Sequence, residues 1–86
     1  NDEKKIAILC MKQNISRFEE LKLKFKNVHV LSLGSTYEEV ARNLFDVLID
    51  LDRRNIDVAY AETFEEKGIG VAIMNRLKKS AGYKFV

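Results

Sequence analysis

"STYEEVARNLFDVLIDLDRRNIDVAYAE", Ser35–Glu62, carries one helix and the strand that follows it, and its reading decides the fold. Thr36 and Glu39 have capping-box spacing, in which a hydroxyl and a carboxylate satisfy the orphan N–H groups at a helix start. Val40, Leu44, Val47, Leu48 and Leu51 then recur at three- and four-residue steps, an apolar stripe down one side of a helix. The spacing predicts a helix over Tyr37 to Arg54. "IDVAYAE", Ile56–Glu62, follows after a single Asn and reads as a strand rich in small and branched residues.

Working outward, "NVHVLSLG", Asn27–Gly34, alternates in polarity and reads as a strand closed by glycine. "KIAILCM", Lys5–Met11, is a continuous apolar run of the kind a strand shows when buried on both faces. Between them, Ser16 and Glu19 again have capping-box spacing, and Phe18, Leu21 and Phe25 follow at helical intervals. A first helix of about three turns is expected there. Downstream, a third helix is expected from about Ile69 to Ser80, and "YKFV", Tyr83–Val86, has the composition of a short fourth strand.

Strand and helix therefore alternate with short connections, the pattern of parallel strands joined by right-handed crossovers. The expected fold is α/β: a three-layer Rossmann-like domain whose four-stranded parallel sheet, in the order 2-1-3-4, carries three helices on two faces. Residues 1–86 form one domain. In such sheets ligands bind beyond the carboxyl ends of the strands, which directs attention to the loops after Met11, Gly34 and Glu62.

The 86 residues are 47% hydrophobic and 33% charged, too apolar for disorder and without any stretch able to span a bilayer. The lone cysteine, Cys10, cannot form an internal disulfide, and with no secretory signal pattern a cytoplasmic protein is expected. The chain starts at Asn1 without an initiator methionine, which suggests processing or excision from something longer. The net charge of +2 is the balance of 15 basic and 13 acidic residues, among them acidic pairs at Glu19–Glu20, Glu38–Glu39 and Glu65–Glu66 and basic residues at Lys22, Lys24, Lys26, Arg53, Arg54, Lys78 and Lys79. Read as helix starts and ends, these follow the helix macrodipole and leave no one-sided surplus for nucleic acid.

"FEEKGIGVAIMNRLKKSAG", Phe64–Gly82, holds the nearest thing to a ligand motif. Gly68 and Gly70 fill the first two places of a dinucleotide fingerprint, but Ile73 holds the third, and Glu65 and Glu66 stand between the strand and the glycines. Carboxylates there oppose a phosphate, so a structural turn is favoured; a nucleotide site at the Gly68–Gly70 helix start is the alternative. Glu62, with Asp2 or Glu3, offers too few oxygens for a hard-cation site. His29 lacks a nucleophile or metal partner, and Cys10 sits in a core strand, where a thiol is a small hydrophobe. No catalytic set is visible. Arg76, beside an expected stripe of Val71, Met74, Leu77 and Lys78, could place its guanidinium on a carboxylate such as Glu62, on a partner's backbone, or over apolar surface.

Leu33-Gly34, Ala41, Leu44-Phe45, Leu51-Asp52, Ala61-Glu62, Gly68, Gly70, Ala72-Ile73, Asn75-Arg76-Leu77 and Lys79 together form a recognisable pattern. It closely resembles the C-terminal domain of the long form of threonylcarbamoyl-AMP synthase, of the SUA/YciO/YrdC/YwlC family. The one departure is Ser80, where that pattern has alanine. The resemblance implies a nucleotidyltransferase that joins threonine, bicarbonate and ATP, with magnesium, into threonylcarbamoyl-AMP for tRNA threonylcarbamoyladenosine modification. It also implies that the active site belongs to a YrdC-like catalytic domain expected N-terminal to residues 1–86. On that basis the expected role is a non-catalytic accessory domain, regulatory or lid-like, with no cofactor of its own. Its expected partner is the catalytic domain, not nucleic acid or membrane, and Glu62, Asn75 and Arg76 are the interdomain or structural residues.

Overall fold

The computed structural model describes residues 4–79 and the backbone of residues 83–85. The elements are β1 (Ile6–Cys10), a 3-10 turn (Lys12–Asn14), α1 (Ile15–Glu19), α2 (Leu21–Lys24), β2 (Val28–Ser32), α3 (Tyr37–Arg53), β3 (Val58–Ala61), α4 (Ile69–Lys79) and β4 (Tyr83–Phe85). The strands form one parallel sheet in the order β2-β1-β3-β4. Ile6 stands between Val28 and Val58, and Ile8 between Val30 and Tyr60. Because strand side chains alternate, Ile6, Ile8, Val28 and Tyr60 share one face, and Ala7, Leu9, Leu31, Ala59 and Ala61 the other.

The second face carries the main core. Ala7, Ala59 and Ala61 are small enough for α3 and α4 to settle close to the sheet, and the helices fill the space with Val40, Leu44, Leu51, Ile73, Met74 and Leu77. All five stripe positions of α3 are buried or packed against this core. Thr36 caps the helix: its hydroxyl accepts the Glu39 N–H at 3.2 Å, while the Glu39 carboxylate accepts the Ser35 N–H at 2.7 Å, one residue before the position a simple capping box would use. Asn27 and Asn55 take left-handed backbone (φ 60 and 58) to turn the chain into β2 and β3.

Four expectations need correction. The first helix is not one rod of three turns but a 3-10 turn and two short pieces that break at Glu20. Ser16 lies inside α1 and caps nothing; Asn14 is the N-cap residue, and its side chain is drawn elsewhere. Glu19 consequently closes α1 instead of opening it, and the first turn of α4 holds no acidic residue, so the macrodipole reading applies in full only to α3, which has Glu38 and Glu39 first and Arg53 last. Finally, the buried side of α4 is Gly70, Ile73, Met74 and Leu77, and Val71 is exposed. The expected end of that helix at Ser80, and Val86 of the last strand, lie outside the described residues.

Candidate functional site

Two places stand out: the carboxyl ends of the strands, and the outer groove between α3 and α4. In the order β2-β1-β3-β4 the chain leaves β1 to either side, so the ends of β1 and β3 form the crevice where doubly wound sheets admit ligands. Here Glu62 closes it. Its backbone N–H donates to the Leu9 carbonyl at 2.9 Å, extending the β1–β3 pairing. Its carboxylate then accepts the Met11 N–H at 2.9 Å and the Asn14 amide at 2.5 Å. Glu62 thus caps the turn after β1 and uses the donors an incoming anion would need.

The neighbouring loops are tied together as well. Lys12 N–H donates to the Gly34 carbonyl at 2.9 Å, and the Gln13 amide to the Ser35 carbonyl at 3.2 Å. What remains is a shallow depression of about 500 Å³ bordered by Lys12, Gln13 and Ser35. Replacing Glu62 with Ala is expected to destabilise the domain by about 1–2 kcal/mol, because two donors lose a charged acceptor in a part-buried place. Gln should recover part of that. Urea unfolding of both variants checks the ranking; equal losses would remove the charge from the explanation.

The glycines have separate tasks. Gly68 adopts φ +54, a conformation that L side chains avoid, but a Cβ there would meet nothing within 4 Å. Gly70 is the opposite case: a Cβ would fall 1.8 Å from the Glu65 carbonyl oxygen and 3.1 Å from Tyr37 Cε2. The loop over 63–68 is thereby pressed onto α4. Tyr37 and Phe64 fix it, which sequence reasoning missed: the Tyr37 hydroxyl accepts the Glu65 N–H at 2.9 Å, and the two rings meet edge-to-face at 5.3 Å. An aromatic at the first position of a capped helix was the available signal.

Glu62 and Arg76 are not brought together. Arg76 is exposed on the outer side of α4, its guanidinium 5.8 Å from the centre of the Phe45 ring on α3, a cation–π stack. With Ile49, Asp52, Ala72, Asn75 and Lys79 this pair lines an open groove of about 600 Å³. Phe45 is 58% exposed, and Ile49, Ile69 and Val71 expose apolar surface on the same two helices. Apolar residues clustered around an arginine are a composition that contact surfaces share.

Among the described residues no three His, Cys, Asp or Glu side chains converge as a metal site, and Asp2 and Glu3 lie outside those residues. No described helix is long and apolar enough to cross a membrane. Cys10 is buried, and its thiol is pushed up to about 11, first by burial, then by the Glu62 and Glu19 carboxylates. A folded value above the ordinary 9.0 leaves the contribution intact below pH 9 and removes it as pH rises through 9 toward 11. Iodoacetamide at about pH 8 should therefore label Cys10 only after denaturant is added. A Cys10→Ala variant should lose less stability than the parent sequence between about pH 8 and pH 10 in urea titrations; identical losses would contradict the assignment.

Residues 1–82 match the family model described as threonylcarbamoyl-AMP synthase, C-terminal domain. The threonylcarbamoyl-AMP synthase of Pyrococcus abyssi is 54% identical over 57 residues, 66% of this chain and 17% of that protein. The enzyme of the same name from Schizosaccharomyces pombe is 34% identical over 84 residues, 98% of this chain and 20% of that protein. A solved structure of a doubly substituted Pyrococcus abyssi Sua5 matches all of this chain at 38% identity with a TM-score of 0.65, and this chain covers 31% of it. This chain therefore spans only a minor part of the relatives it matches. It belongs to the family of threonylcarbamoyl-AMP synthase C-terminal domains.

Proposed function

We propose that the chain is a non-catalytic accessory domain that packs against the YrdC-like catalytic domain of a threonylcarbamoyl-AMP synthase and modulates how that domain holds its ligands. The observation that carries the reading is the outer face of α3 and α4, where Phe45, Ile49 and Ala72 surround Arg76 and Asn75 in an open groove. Apolar surface of this kind on a small domain is costly to leave wet, and a stacked arginine is well suited to a partner's backbone carbonyls or carboxylates. Glu62 takes the structural part of the assignment, since it fastens the turn after β1. The catalytic domain would supply the condensation of threonine, bicarbonate and ATP, magnesium included, and its product would serve tRNA threonylcarbamoyladenosine formation in the cytoplasm.

The test is made in the longer enzyme to which this reading assigns the chain. Arg76→Glu and Phe45→Ser should lower threonylcarbamoyl-AMP formation by about tenfold, in line with the loss of a central interface contact, while leaving the melting of this domain unchanged. Full activity in both variants would overturn the reading, as would product formation by residues 1–86 alone at the rate of the longer enzyme.

A further inference from the structure

The sheet face opposite the main core is only partly covered. α1 and α2 lie over β1 and β2, and beneath them is an apolar cavity of about 300 Å³. Ile6, Ile8 and Val28 form its floor, Phe18, Leu21 and Phe25 its roof, with Tyr60 at the side. Its volume is at the lower end of those that hold small molecules, roughly 300–1,000 Å³. The broken helix is the reason for the space: two short pieces meeting at Glu20 cannot lay a continuous apolar stripe on the sheet.

The surroundings of the cavity are basic. Phe25 is 56% exposed and is flanked in the chain by Lys24 and Lys26. The Ile6 N–H donates to the Asn27 carbonyl at 2.9 Å, which brings the start of β1, with Lys4 and Lys5, beside Lys26. Lys5 is engaged with the Arg54 carbonyl and Lys22 with Glu19. Lys4, Lys24 and Lys26 form no ion pair among the described residues. Among the described residues, carboxylates toward this end include Asp57, which accepts the Lys5 N–H at 2.8 Å, and Glu20 at the helix break. An apolar cavity beside exposed, unpaired ammonium groups is complementary to a molecule with an apolar body and an anionic head.

We propose that this pocket binds a small anionic amphiphile, a medium-length aliphatic carboxylate whose chain fills the cavity while its head meets Lys24 and Lys26. The site is on the opposite side of the sheet from the α3–α4 groove and does not depend on the role assigned to that groove. Binding would close the unfilled space under α1 and α2 and tighten these two helices, neither of which contains a buried residue.

The test is a titration of the isotopically labelled chain with decanoate below its micelle concentration, followed by amide chemical shifts. The expected result is saturable shifts at Ile6, Ile8, Val28 and Tyr60, with decanol binding about fivefold more weakly because it lacks the charge. Decyltrimethylammonium should bind more weakly still. The exposed double variant Lys24→Glu/Lys26→Glu should lose about fivefold for decanoate and nothing for decanol. Absence of saturable shifts, equal affinity for all three amphiphiles, or shifts centred on α3 and α4 would overturn the proposal. So would binding to anionic phosphatidylglycerol vesicles without any binding of free decanoate, since that would mark a membrane-facing surface instead of a pocket.

Discussion

Replacing Gly70 by alanine is expected to destabilise the domain by about 3 kcal/mol or more, enough to leave a small domain largely unfolded. The new Cβ would sit 1.8 Å from the Glu65 carbonyl oxygen, and what must yield is backbone, not the end of a flexible side chain. The loop cannot retreat without breaking the Glu65–Tyr37 hydrogen bond and the Tyr37–Phe64 ring contact. Gly68→Ala is the paired control. It meets no atoms, and its penalty is limited to the left-handed backbone, about 1 kcal/mol. Circular dichroism melts of the two variants should therefore separate widely. Equal melting temperatures would show that the loop is not pressed onto α4.

The second large effect separates two neighbours on one helix. Leu44 is 1% exposed and sits in the main core, so Leu44→Ala should cost about 2–5 kcal/mol through lost transfer energy and the cavity left behind. Phe45, the next residue, is 58% exposed, and Phe45→Ala should change stability by about 0.5 kcal/mol or less. Urea unfolding of the isolated chain measures both. A large loss at Phe45 would mean that the ring supports the fold itself, and the case for a contact surface on α3 would fail.

The register of α3 was legible because it is a local matter: Thr36, Glu39 and a stripe from Val40 to Leu51 all lie within one element. The parallel α/β character followed from strands and helices alternating along the chain. The start of the first helix, by contrast, is decided from afar. Glu62, 48 residues on from Asn14, takes the Asn14 amide and the Met11 N–H and pulls the chain into a 3-10 turn, so the Ser16–Glu19 spacing never acts as a cap. The buried side of α4 was misplaced for a different reason. A stripe found by counting large apolar side chains passes over a glycine, yet Gly70 belongs to the buried face because it has no side chain to hold the loop away.

The candidate site was partly legible in the same sense. Asn75 and Arg76 stand out in the sequence, but Glu62, one of the carboxylates Arg76 could reach, is committed at the strand ends, and no sequence spacing links Phe45 on the adjacent helix to them. Helix-to-helix neighbours depend on how α3 and α4 lie across the sheet, and no spacing within either helix encodes it. The result is a domain whose usual ligand crevice is fastened by its own side chain and which exposes Phe45, Ile49, Ile69 and Val71 on the two helices packed over its main core.

The face formed by α3 and α4 is expected to be covered in the longer enzyme. Hydroxyl-radical footprinting of Phe45, read by mass spectrometry, tests it most directly, because the ring is open in the isolated domain. Strong oxidation of Phe45 is expected in the isolated chain and clear protection in the longer enzyme, with exposed Phe25 on the opposite side serving as the internal comparison. Equal oxidation of Phe45 in the two would contradict it.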